Sequence, residues 1–120
     1  MSFNQTASVW KLLRVEEACM LLSAGFFAGS PDDLRDGFVH LSAEDQLLGT
    51  LAKHFAGEAG LVAARCDPAR MGEGLRWEPS RGGALFPHLF RALTLADVDL
   101  LVPLAEERLP QLVGGGSGRA

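Results

Sequence analysis

The 120-residue chain has no tyrosine, only two cysteines and only three histidines. Without tyrosine, no phenol can serve as a stacking ring that also donates a hydrogen bond, so any such site must split the work between Phe or Trp and another polar group. Neither Cys19 nor Cys66 belongs to a Cys-x-x-Cys pair, which removes zinc ribbons and dithiol redox motifs. Both lie in apolar stretches and are expected to be reduced core thiols. The histidines are not paired as His-x-His or His-x-x-x-His, so no metal site is expected. Basic residues number 11 against 15 acidic ones, the formal net charge is -4, and no Lys/Arg block occurs, which disfavours nucleic acid as a partner. No apolar run approaches the roughly 20 residues of a membrane helix. Met1 to Thr6 lack the charged and apolar regions of a signal peptide, and a cytoplasmic protein is expected.

What is present suits one soluble domain. Apolar residues make up 48% of the chain and charged residues 22%, enough for a core and an ordinary surface. The domain is expected over residues 8–112, with the Gly-rich stretch 113–120 as a disordered tail. Ser8 to Leu13 reads as a buried strand, and Glu16 to Ala24 as a helix stopped by Gly25. Ser30-Pro31-Asp32-Asp33 combines an N-cap, a first-position proline and a third-position acid, the start of a single helical turn. Phe38 to Leu41 is a short strand. Ser42 is expected to cap the Asp45 amide of a helix whose Leu47, Leu48, Leu51, Ala52 and Phe55 form one buried stripe. Leu61 to Cys66, Leu75 to Glu78 and Val98 to Val102 read as further strands. The pattern predicts an α+β fold: a small mixed or antiparallel sheet of about five to six strands with two main helices.

Two segments carry side chains that a core does not require. Asp36-Gly37-Phe38-Val39-His40-Leu41-Ser42 and Phe86-Pro87-His88-Leu89-Phe90 each set a histidine among apolar neighbours. Such a ring is either a hydrogen-bonded member of the sheet or a proton carrier and ligand clamp at a cleft edge. Ser42 beside His40 has two compatible readings, helix cap and anion contact. Gln46 falls one turn later and faces the same way, or is merely solvated. Arg76 and Glu78 share a face opposite Trp77; they are either a surface ion pair or a positioned carboxylate beside an aromatic wall. Proline places His88 on a stiff loop or edge strand. His54, close to a helix end, reads as structural or surface.

The order Val9-Trp10-Lys11, Asp36 to Ser42, Gln46, Arg76-Trp77-Glu78 and Phe86 to Phe90 resembles the bacterial family known as domain of unknown function 952, over about residues 8 to 104. The resemblance implies a fold grouped with the ADP-ribosyltransferase-like proteins, whose split sheet binds nicotinamide dinucleotide. It would match His40 to a ribose-contacting histidine and Glu78 to a catalytic glutamate, with NAD as a candidate substrate. Relatives often read Phe-Pro-His-Leu-Tyr-Gly where this chain has Phe86-Pro87-His88-Leu89-Phe90-Arg91.

The first functional expectation is an enzyme acting on a nucleotide-derived small molecule, with His40, Glu78 and His88 as catalytic residues. Ser42, Gln46, Arg76, Trp77 and Phe90 would bind the ligand. His40 and His88 are then expected on opposite walls of one pocket, near Trp77 or Glu78. The alternatives are a non-catalytic ligand-binding module using the same pocket and an interaction scaffold with structural histidines.

Overall fold

The computed structural model describes residues 7–104. The expected tail and the last residues of the expected domain lie outside this span. Among the described residues are nine strands and four α-helices, and every strand pairing is antiparallel. The strands form three sheets rather than the one expected. The class is α+β, as the pattern predicts, but short strands divide the pairing among separate ladders.

Strand β1 (Val9–Leu13) is the spine. It is flanked by β4 (Ser42–Ala43) on one side and β5 (Val62–Cys66) on the other, and β9 (Val98–Pro103) completes the order β4-β1-β5-β9. All five β1 residues are buried because both faces of this sheet are covered. Val9 and Leu13 join one core cluster with Leu21, Val39 and Leu89, while Trp10 and Leu12 join a second with Leu47. Lys11 shares the first face and is also buried, an exception in a core strand that needs a partner.

Helix α1 (Val15–Ala24) begins where the Arg14 backbone N–H donates to the Glu17 side chain at 2.9 Å. It ends at Gly25, whose φ of 86° closes the last turn through a bond from its N–H to the Leu21 carbonyl. Its exposed face carries Cys19, so the expectation of a core thiol is wrong there; Cys66 is buried. The helix buries only Ala18 and Leu21, and Cys19 falls on neither side of that narrow stripe. Strand β2 (Phe26–Phe27) follows and later pairs with β8 (Leu93–Thr94).

Helix α2 (Pro31–Asp36) starts as the sequence pattern predicts. Ser30 Oγ accepts the Asp33 N–H at 3.2 Å, and Asp33 Oδ2 accepts the Ser30 N–H at 2.9 Å. Strand β3 (Val39–His40) comes next.

Ser42 does not cap a helix. It lies in β4, paired with Trp10, and its buried hydroxyl sits 2.7 Å from Thr50 Oγ1. A 3-10 turn over Glu44–Gln46 intervenes before helix α3 (Leu47–His54), and the Gln46 side chain accepts the Ala43 N–H. The expected stripe narrows accordingly: Leu47 is buried, Leu51 and Phe55 are half-buried, and Leu48 and Ala52 face outward. Asp67 caps the short helix α4 (Pro68–Met71) by accepting the Ala69 N–H at 3.0 Å.

The third sheet is ordered β3-β7-β6, with β6 over Leu75–Pro79 and β7 over Leu85–Leu89. The proline-containing segment is therefore a central strand, not the edge or loop that Pro87 suggests. The Pro87 carbonyl accepts Leu41 N–H at 3.1 Å, so the nitrogen of Pro87, on the same side of its strand, points past the end of the two-residue β3. The missing donor therefore costs only the reciprocal bond to Leu41, at the last rung of the ladder.

Candidate functional site

Register brings the two histidines together. His40 on β3 is directly opposite His88 on β7. The Pro87 and Leu89 positions of β7 turn their backbone groups toward β3, so His40 and His88 form a non-hydrogen-bonded pair, the kind whose side chains approach most closely. Their ring centroids lie 5.8 Å apart. They stand side by side on one wall, not on opposite walls as expected. Phe38, two residues before His40, completes the wall: its ring stacks on His88 at 4.0 Å and tilts against His40 at 4.5 Å.

Each ring is oriented through Nδ1. His88 Nδ1 lies 2.7 Å from Glu78 Oε1, and His40 Nδ1 lies 2.6 Å from Asp33 Oδ1. His40 Nε2 also lies 3.0 Å from Asp36 Oδ2. The His88 ring is almost wholly buried, whereas the His40 side chain is 37% exposed.

Asp33 and Lys11 are what the motif reading missed. Asp33 is 2% exposed and accepts from Lys11 Nζ at 3.0 Å, from the backbone N–H groups of Ser30 and His40, and from the His40 ring. Lys11 Nζ also donates to the His40 carbonyl at 3.0 Å. Burial pushes the Asp33 carboxyl up, but the His40 hydrogen bond, the Lys11 charge and the two backbone donors outweigh it. The carboxyl is held well below the usual carboxylate range. The signal for this hub was present in the sequence as a lysine inside an otherwise apolar strand, Val-Trp-Lys-Leu-Leu.

The wall opens onto a cleft of about 320 Å³ lined by His40, His88, Ser42, Phe86, Arg35 and Lys53 among others. His54, expected to be structural or surface, lines it too, at the end of α3. Charge is mixed: Arg35 pairs with Asp32 and Asp36, and Asp36 is held below its ordinary value chiefly by its hydrogen bond from Arg35.

The remaining expected site residues are dispersed. Glu78 reaches the site only through His88 and does not line the cleft. Arg76 lies over the Phe90 ring at 5.2 Å, and Phe90 packs on Phe38 at 5.1 Å, which extends the same face outward. Trp77 projects from the opposite face of β6, across from Pro87. Gln46 is a strut, donating from Nε2 to the Leu85 carbonyl at 2.7 Å. Arg91 makes a two-point ion pair with buried Asp97 at 2.8 and 3.0 Å, and Asp97 in turn accepts from Thr94. Among the described residues no three His, Cys, Asp or Glu side chains gather as metal ligands, and no helix is long and apolar enough to cross a membrane.

The family model described as "Protein of unknown function (DUF952)" matches residues 12–100, which takes in the whole histidine wall. The chain belongs to the DUF952 family. Among solved structures, this DUF952 domain is similar to the crystal structure of protein CC0527 from Caulobacter crescentus: 40% identity, a TM-score of 0.77, and coverage of 85% of this chain and 97% of that one. The solution NMR structure of CC0527 gives 39% identity and the same TM-score, over 89% of this chain and 97% of that one. No curated protein matches the chain.

Proposed function

We propose that this domain binds a small nucleotide-derived ligand in the cleft and uses His40 as the proton carrier or hydrogen-bond clamp at that ligand. The observation that carries this reading is the pair of adjacent histidines whose Nδ1 atoms are both tied to carboxylates. A carboxylate on Nδ1 fixes the ring and its tautomer and leaves Nε2 as the atom that meets a ligand, the arrangement general acid–base catalysis uses. At His40 a ligand hydroxyl or phosphate takes the place of Asp36, which is one-third exposed and already paired with Arg35. His88, buried and held by Glu78, serves as the second donor or acceptor, and Glu78 is its positioning residue.

Arg35 and Lys53 suit phosphate oxygens, while Phe86 and Phe55 offer apolar surface to a base or ribose. A volume of about 320 Å³ is at the small end of ligand sites, which run from roughly 300 to 1,000 Å³. That size favours a mononucleotide or a ribose-phosphate fragment over a whole dinucleotide. If the domain acts as ADP-ribosyltransferase-like proteins do, NAD is its substrate and places one of its two nucleotide halves in the cleft.

The test is a thermal-shift panel of AMP, nicotinamide mononucleotide, ADP-ribose and NAD with wild type and His40→Ala, together with an assay for released nicotinamide. Saturable stabilisation lost in His40→Ala supports the site, and turnover supports the enzyme reading. Binding without turnover favours the non-catalytic module, a reading that His40's hold on carboxylates at both nitrogens also suits. No response to any member of the panel contradicts the proposal.

A further inference from the structure

Among the described residues β6 ends the three-stranded sheet, and no strand pairs with its far side. The backbone phase follows from the register. Leu41 N–H donates to the Pro87 carbonyl and Phe90 N–H to the Gly74 carbonyl, so residues 86, 88 and 90 turn toward β6 while Pro87 turns away. Trp77, opposite Pro87, therefore belongs to a non-hydrogen-bonded pair, and its N–H and C=O point outward from the sheet. Leu75 and Pro79 share that phase.

Natural sheets protect such an edge with charge or a covering segment. Here the central residue of the edge is Trp77, 44% exposed, flanked by Arg76 and Glu78. On the face of Trp77, Leu85 is 52% exposed, next to Pro79 across the β6–β7 pair.

We infer that this edge docks a second copy of the same chain, β6 against β6, in antiparallel register about a two-fold axis at Trp77. In this register each Trp77 N–H donates to the Trp77 carbonyl of the other copy. Each Leu75 N–H donates to the other copy's Pro79 carbonyl, and the absence of an N–H on Pro79 ends the ladder. Arg76 of each copy then stands directly opposite Glu78 of the other, so the charges are complementary when the strand meets its own antiparallel image. The two sheets join into one of six strands, and Trp77 and Leu85 of both copies bury an apolar strip along the seam. The pairing also reaches the histidine wall: Arg76 of one copy meets the carboxylate that holds His88 in the other. This inference stands on the edge geometry and does not depend on the ligand proposal.

Light-scattering mass and sedimentation of the full chain, followed up to a concentration of order 0.1 mM, test it. The expected result is a concentration-dependent shift from 12.8 kDa toward twice that mass. Trp77→Lys should abolish the shift. Arg76→Glu and Glu78→Arg should each abolish it by setting like charges opposite one another, and the double variant Arg76→Glu/Glu78→Arg should restore it. Circular dichroism and the melting temperature of each variant separate a lost contact from a lost fold. A wild type that stays at monomer mass throughout, or a dimer indifferent to Trp77→Lys and to both charge reversals, overturns the inference.

Discussion

Asp33 holds His40 twice, accepting from its backbone N–H at 3.0 Å and from Nδ1 at 2.6 Å. The same carboxylate takes the Lys11 ammonium, so a strand, a helix and a histidine are locked at one buried anion. The site's orientation and the fold's integrity therefore share a residue, and removing it should affect both.

Asp33→Asn leaves the buried Lys11 charge without its partner. Breaking a buried pair by removing one member costs about 3–5 kcal/mol, a large part of the roughly 5–15 kcal/mol that holds a small domain together. Urea denaturation should show a loss of that order. A loss under about 1 kcal/mol, no more than exposed ion pairs contribute, would mean that water reaches the pair. Lys11→Met, which removes the cation instead, should also destabilise, because the carboxylate stays buried.

Acid should expose the same hub. The Asp33 carboxyl is depressed in the folded state, so its contribution is fully present above the unfolded value of about 3.9 and is lost as pH falls through the lower folded value. Stability curves from neutral pH downward should converge for wild type and Asp33→Asn below about pH 4. A gap that stays constant with pH would show that Asp33 contributes shape rather than charge.

The two thiols should differ sharply. Cys19 is exposed on α1, whereas burial, aided by Asp97 and Asp99, pushes the Cys66 thiol up to about 12. A native-state thiol titration should find one reactive group, assigned to Cys19 by its loss in Cys19→Ser. The second should appear only in denaturant. Two fast thiols in the native protein would contradict the placement of Cys66 in the core.

Ser42→Ala removes the bond to Thr50 rather than a helix cap. The expected cost is about 1 kcal/mol, and Thr50→Val should remove much of the same interaction, so the double variant should cost less than the sum of the two. Strict additivity would indicate that the hydroxyls do not support one another.

Elements with strong local signals were legible. The α1 stop at Gly25 and the Ser30–Asp33 capping box depend on neighbours a few residues away, and both stand where the pattern put them. The acid-rich sequel of Ser42 resembles a helix start. Pairing with Trp10, distant in the chain, claims Ser42 for a strand instead. The place of Pro87 in a central strand is hidden for a similar reason: whether a missing N–H matters depends on where the neighbouring strand ends, which no local pattern states. The histidine motifs marked the region of the wall. Glu78 is legible as a carboxylate near the histidines, though its place is the support of His88 rather than the chemistry, whereas Asp33 reads locally only as a capping acid. Trp77 fell on the wrong face because nothing in one strand says which of its faces meets the cleft.

The central claim is that His40 and His88 together face one ligand. Its most direct test is a side-chain nitrogen NMR titration of the histidine rings with AMP and ADP-ribose, in wild type and Asp33→Asn. Saturable shifts of Nε2 in both His40 and His88 at one shared dissociation constant are expected, with a marked weakening of binding in Asp33→Asn. Rings that stay unmoved by either ligand, or a response confined to His54, would contradict it.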